Sequence, residues 1–209
     1  MDWSRPYRVL LSPIEGAIIM TLAGTSRPLS GREVARIADT SVNGSWRVLR
    51  RLVEYGLVSR QEAGDGAALL YTLNRDHIAV EAVLSLVSLR ERFFERIRDS
   101  VSGWRIQPVH VSLFGSTARR DGDTSSDIDL FIVRPRDVVV DDEAWRAQLT
   151  QLGDDVLRWS GNHAGIAELA ASELPRLGRE RPPIVQELEQ DAVVLLGPPI
   201  ADLIGGKKR

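Results

Sequence analysis

Residues 114–133 read Phe-Gly-Ser-Thr-Ala-Arg-Arg-Asp-Gly-Asp-Thr-Ser-Ser-Asp-Ile-Asp-Leu-Phe-Ile-Val. The apolar run Val109–Phe114 leading into it has strand character and stops at Gly115-Ser116. A polar loop follows, and Asp127-Ile128-Asp129 then opens a second apolar strand. Residues two apart on a strand point to the same side, roughly 6.5–7 Å from each other. Asp127 and Asp129 therefore present two carboxylates on one face, beside a glycine-serine turn. Carboxylates, phosphates and water are the ligands that suit Mg²⁺.

The spacing has a chemical reason. Gly115 lacks a Cβ, so the backbone can turn sharply and lie close to a bulky anion. Ser116 and the amides after it offer donors to phosphate oxygens if a helix begins there. Arg119 and Arg120 follow within a turn and can add guanidinium forks. Phosphoryl transfer rests on positioning and electrostatics, so no Cys nucleophile or Ser-His pair is required, and none is apparent. A lone Asp-x-Asp is usually a solvated turn. The combination of strand, Gly-Ser, polar loop, Ser-Asp-x-Asp and strand is far more specific, and it resembles the signature of the polymerase-beta-type nucleotidyltransferase superfamily, its minimal members in particular.

That resemblance implies an α/β (α+β) domain over 103–200, a small mixed sheet with flanking helices. It implies an NTP held by Gly115, Ser116, Arg119, Arg120 and Ser126. Mg²⁺, with Mn²⁺ able to replace it, would sit on Asp127 and Asp129 as catalytic carboxylates. The superfamily normally takes a third acid from a later strand. Here an expected helix over 141–159 ends at Ser160-Gly161-Asn162-His163, and a short strand Ala164–Leu169 carries Glu168. By the resemblance Glu168 is the third catalytic carboxylate, completing the metal shell or accepting the proton of the attacking hydroxyl. Asp154, Asp155 and Asp191 are weaker alternatives. His163, His77 and His110 are isolated, and no zinc spacing exists.

The first 75 residues read differently. Pro13–Ala23 has helical apolar spacing. Ser30 with Glu33 three residues later forms a capping box for a second helix. A third helix is expected from about Val42 to Tyr55, stopped by Gly56. Two strands, 57–62 and 68–73, flank the turn signal Ala63-Gly64-Asp65-Gly66. Three helices and a ribbon resemble a winged helix-turn-helix domain. By that resemblance the third helix enters the DNA major groove with Ser41, Asn43, Ser45, Trp46 and Arg47. Arg50, Arg51 and Arg60 become phosphate or wing contacts. Charge restrains DNA binding: up to Asp76 ten Arg face eight acids, and the whole chain is −2.

Residues 76–102 read as one amphipathic linking helix, a seam for a homodimer as well as a spacer, and 201–209 as a tail holding both lysines. Helical pieces over 172–179 and 183–190 and a strand over 192–196 complete the second domain. Neither a membrane-length apolar run nor a signal core is present, and cysteine is absent. A cytoplasmic protein without membrane contact is expected.

Two functions follow. The first is a Mg²⁺-dependent nucleotidyltransferase moving a nucleoside monophosphate from an NTP such as ATP to a hydroxyl of a protein, RNA (tRNA included) or small molecule, as in toxin–antitoxin modules. A partner protein could complete the site. The second is a DNA-binding regulator whose second domain senses nucleotides or has lost catalysis. Glu168 discriminates them. Within metal-sharing distance of the Asp pair, roughly 5 Å, it favours the enzyme; pointing away without a replacement, it favours the regulator.

Overall fold

The computed structural model describes residues 1–64 and 68–205. The chain divides into two compact units. One is Arg5–Leu89; the other joins Met1–Ser4 to the chain from Arg90 onward.

In the N-terminal unit a 3₁₀ turn (Pro6–Val9) precedes α1 (Pro13–Ala23), α2 (Gly31–Ile37) and α3 (Val42–Glu54). Reciprocal Ser/Glu boxes start two of these helices. Ser12 caps α1 with Glu15, and Ser30 caps α2 with Glu33. Hydrogen bonds from the Ser30 backbone and side chain hold the Glu33 carboxyl down at about 2. Strands β1 (Leu29–Ser30), β2 (Val58–Glu62) and β3 (Leu69–Leu73) form an antiparallel sheet in the order β1-β3-β2. Ile18, Leu22, Leu29, Val34 and Leu49 are almost fully enclosed beneath it. Burying each such side chain contributes about 1.5–3 kcal/mol. The three helices and ribbon expected from the sequence are therefore present. Asp65 and Gly66 of the expected hairpin turn lie outside the described residues.

The expected single helix over 76–102 is two. α4 (Val80–Val87) ends at Ser88, and α5 (Leu89–Ser102) begins directly after it. The boundary between the units falls at this junction, so the stretch is divided between two cores: Val80 and Val83 pack in the first, Phe93, Phe94, Ile97 and Val101 in the second.

The C-terminal unit is built on a four-stranded sheet of β4 (His110–Phe114), β5 (Ile128–Arg134), β6 (Ala164–Ala170) and β7 (Val193–Leu196), in the order β6-β5-β4-β7. Only the β5–β6 pair is parallel. Alternation along β5 sends Ile128, Leu130 and Ile132 to one face, where α5 and α7 (Glu143–Ser160) supply Phe93, Ile97, Trp145 and Leu152. Phe131 and Val133 go to the other face, against α8 (Leu174–Glu180), α9 (Pro183–Gln190) and α10 (Ile200–Ile204). Residues 200–204, expected to lead into a tail, thus form a helix, and Ile200 is buried. Lys207, Lys208 and Arg209 lie outside the described residues. Between β4 and β5 runs α6 (Gly115–Arg119).

Candidate functional site

The site is built at the junction of β4, β5 and β6. Phe114 pairs with Asp129 across β4 and β5, and Gly165 pairs with Asp129 across β5 and β6. The Asp129 carboxylate therefore has a glycine on each side. A Cβ on Gly115 would meet Oδ2 at 2.3 Å, and one on Gly165 would meet Oδ1 at 2.9 Å. Gly115 also has a φ of +67°, a left-handed backbone that favours glycine. The turn at the end of β4 consequently needs a glycine twice over, for its dihedral and for the carboxylate beside it.

Glu168 is not part of this group. It pairs with Ile132, three residues further along β5, about 10 Å beyond the Asp129 position. Parity matters more than distance. Asp129 shares a face with Phe131 and Val133, whereas Ile132 faces α5 and α7 with Ile128 and Leu130. Glu168 is on that second face. Its Oε1 accepts from Arg134 Nε at 2.6 Å and from Trp145 Nε1 at 2.9 Å. The expectation of Glu168 as third metal ligand is corrected on this ground: it is a structural partner of an arginine and a buried indole. The strand position beside Asp129 on the correct face is Gly165, which has no side chain. Among the described residues no three of His, Cys, Asp and Glu converge to metal-ligating distance.

Asp127 and Asp129 alone still suit one cation, because Mg²⁺ is commonly held by one or two carboxylates with nucleotide phosphates and waters completing its shell. They do not suit a shell of three protein carboxylates. Burial raises the Asp129 pKa, and the charges of Asp127 and Glu187 add to the shift while Arg119 opposes it. Glu187, on α9, was not singled out from the sequence; only the packing of a helix against β4 brings it near. Arg119 reaches Asp121 at 3.2 Å, Glu187 at 3.7 Å and Asp191 at 3.9 Å, so three carboxylates hold the guanidinium expected to meet phosphate. Arg120 is exposed with a φ of +65°. Ser126 Oγ accepts from the Asp123 amide at 2.9 Å and so braces the loop itself.

Two supporting residues escaped sequence reading. Asn162 is buried, and its Nδ2 donates to the Ser126 carbonyl at 2.9 Å, one residue before Asp127. Its Oδ1 accepts from the Met1 ammonium at 2.5 Å. The Gly-Asn turn after α7 was a visible signal, but its target was not. Arg90, also buried, donates to the Thr117 and Ala118 carbonyls at 2.5 and 3.0 Å, closing the end of α6. An arginine on an amphipathic helix reads as solvent-facing until the fold is known.

On α3, Asn43, Trp46, Arg47 and Arg50 are exposed, as is Arg60 on β2. Three expected DNA contacts are otherwise engaged. Ser45 is fully buried with its Oγ 2.6 Å from Thr40 Oγ1, so it serves the core and not DNA. Ser41 caps α3 by accepting from the Gly44 amide at 3.1 Å, and Arg51 is ion-paired with Glu15 of α1.

Residues 91–160 match the family model of the nucleotidyltransferase domain. The match includes Gly115, Ser116, Asp127 and Asp129 and ends before β6, which carries Gly165 and Glu168. Among solved structures the chain is similar to a probable transcriptional regulator from Pseudomonas aeruginosa, at 23% identity over 43% of this chain and 66% of that one, with a TM-score of 0.34. The chain thus spans just under two thirds of that protein's length. It is also similar to TrmBL2, an archaeal chromatin protein described as showing a novel mode of DNA binding, at 15% identity over 86% of this chain and 75% of that one, with a TM-score of 0.32. No curated protein matches the chain.

Proposed function

We propose that the C-terminal unit binds a nucleoside triphosphate with a divalent cation and that the N-terminal unit binds duplex DNA, so that the protein is a nucleotide-responsive DNA-binding regulator. One observation carries the choice between the two functions: Gly165, not an acid, stands beside Asp129, and Glu168 lies on the opposite face of the sheet. The Gly115-Ser116 turn and the Asp127/Asp129 pair support nucleotide binding. When bound, Mg²⁺ would neutralise triphosphate charge on those two carboxylates. Nothing on β6 remains to accept the proton of an attacking hydroxyl. The exposed Asn43, Trp46, Arg47 and Arg50 of α3 support the DNA reading.

A second reading keeps nucleotidyl transfer to a protein, RNA or small-molecule hydroxyl. Its support is the nucleotidyltransferase match together with Glu187, whose charge reaches Asp129 from α9. Release of Glu187 from Arg119 would free a third carboxylate.

Both are tested with each of the four α-³²P-labelled nucleoside triphosphates in Mg²⁺ or Mn²⁺. Metal-dependent retention of label on the wild type and its loss in Asp127→Asn/Asp129→Asn supports nucleotide binding at the carboxylate pair. Covalent label appearing in lysate protein or RNA returns the second reading to first place. Absence of retained label with all four nucleotides rules out both.

A further inference from the structure

The N-terminal unit has a recess of its own. A cavity of about 580 Å³ lies between α3 and the β2–β3 ribbon. Arg47 and Arg50 from α3 and Arg60 from β2 are among the residues that line it. Trp46, Leu69 and Tyr71 supply its apolar walls. Arg60 and Tyr71 are direct cross-strand partners, which puts a charge and a ring side by side. The Trp46 indole is close-packed over Gly31, where a Cβ would meet Nε1 at 3.1 Å, and 59% of the residue remains exposed. The ring is thus held in place with its free surface available.

We propose that this cleft binds a free nucleotide, independently of Asp127 and Asp129. The volume falls in the range of small-molecule sites, roughly 300–1,000 Å³. Guanidinium forks match phosphate oxygens. Aromatic side chains stack on bases irrespective of sequence. One acid, Glu54, also lines the cleft, 3.7 Å from Arg50 Nε, and can accept from base N–H or ribose hydroxyl groups. A phosphodiester backbone crossing the rim would use the three charges and leave the Leu69 and Tyr71 surface unfilled. A mononucleotide uses both. Because Trp46 and Arg47 also belong to the surface proposed for DNA, nucleotide and duplex would compete.

The test uses the full chain carrying Asp127→Asn/Asp129→Asn, in EDTA, so that the C-terminal site is disabled. Trp46 is the one tryptophan between residues 5 and 89, and its emission is titrated with ATP, GTP and inorganic tripolyphosphate. We expect a saturable change with ATP or GTP that Trp46→Phe abolishes. Arg47→Ala/Arg50→Ala should weaken it about tenfold or more, and tripolyphosphate should bind several-fold more weakly than the nucleotide. These arginines are exposed, and Arg60→Ala on the ribbon gives a second, independent loss. The proposal is overturned by no saturable change up to about 5 mM nucleotide, by equal binding in the arginine variants, by tripolyphosphate binding as well as ATP, or by a response to duplex DNA alone. None of these outcomes depends on whether the wild type binds Mg²⁺–NTP at Asp127 and Asp129.

Discussion

Asp129 faces Gly165 across the parallel pair of β5 and β6, with Oδ1 only 2.9 Å from where a Cβ on Gly165 would stand. The neighbour is the free end of a carboxylate and not backbone, so a side chain at 165 can be admitted by rotation of Asp129. Gly165→Asp would put a third carboxylate on the face that Glu168 does not reach. We expect Gly165→Asp to bind Mn²⁺ about tenfold more tightly than the wild type, as measured by electron paramagnetic resonance, and to gain nucleotide label transfer. Transfer by the wild type at the same rate would mean that the vacancy at 165 is irrelevant.

Asn162 holds the loop before Asp127 through a single amide. Removing a supporting partner behind a ligand typically costs 10–100-fold in metal affinity. Leaving the Ser126 carbonyl without its buried donor costs about 1–3 kcal/mol. Asn162→Ala should therefore lower both cation affinity and thermal stability, whereas His163→Ala, next in sequence and more exposed, should change neither. Equal affinity in Asn162→Ala and the wild type would show that the loop is positioned by its own Asp123–Ser126 bonds.

The acidity of Asp129 gives a pH dependence. Its raised pKa means that the folded protein keeps this proton to higher pH than the unfolded chain does. Between the two values the folded state binds more protons, so stability falls as pH rises through that window, and the loss is complete above it. In EDTA, Asp129→Asn should melt at a higher temperature than the wild type at neutral pH, and the difference should close as pH drops below the window. A difference that does not change with pH would place its origin elsewhere. Cation binding requires the ionised carboxylate, so metal affinity should fall over the same window on acidification.

Much of this was legible from residue patterns. Ser30 and Glu33 marked a helix start and Gly115 a forced turn, because each depends on neighbours within a few positions. The role of Glu168 was not legible. It depends on whether β6 enters its register with Gly165 or with Glu168 beside Asp129, and a shift of one residue would exchange the faces of the whole strand. Ser45 failed for a similar reason. Polarity suggested an exposed contact, but its position in α3 turns it inward to Thr40. Glu187 was hidden because nothing near it in sequence signals which strand α9 packs on.

The α3 surface offers a prediction that separates folding from recognition. Ser45 is buried against Thr40, so Ser45→Ala should cost about 1 kcal/mol of stability and leave affinity for any selected duplex unchanged once the protein is folded. Arg47 and Arg50 are exposed, and Arg47→Ala/Arg50→Ala should keep the melting temperature while weakening DNA binding. If both side chains meet phosphates, the slope of log affinity against log salt should become less steep by about two, since each phosphate contact contributes about 0.9. If one of them reads a base edge, the slope should fall by only about one and the preferred sequence should relax at a single position. A salt slope unchanged in the double variant, with full affinity retained, would remove α3 from the DNA interface altogether.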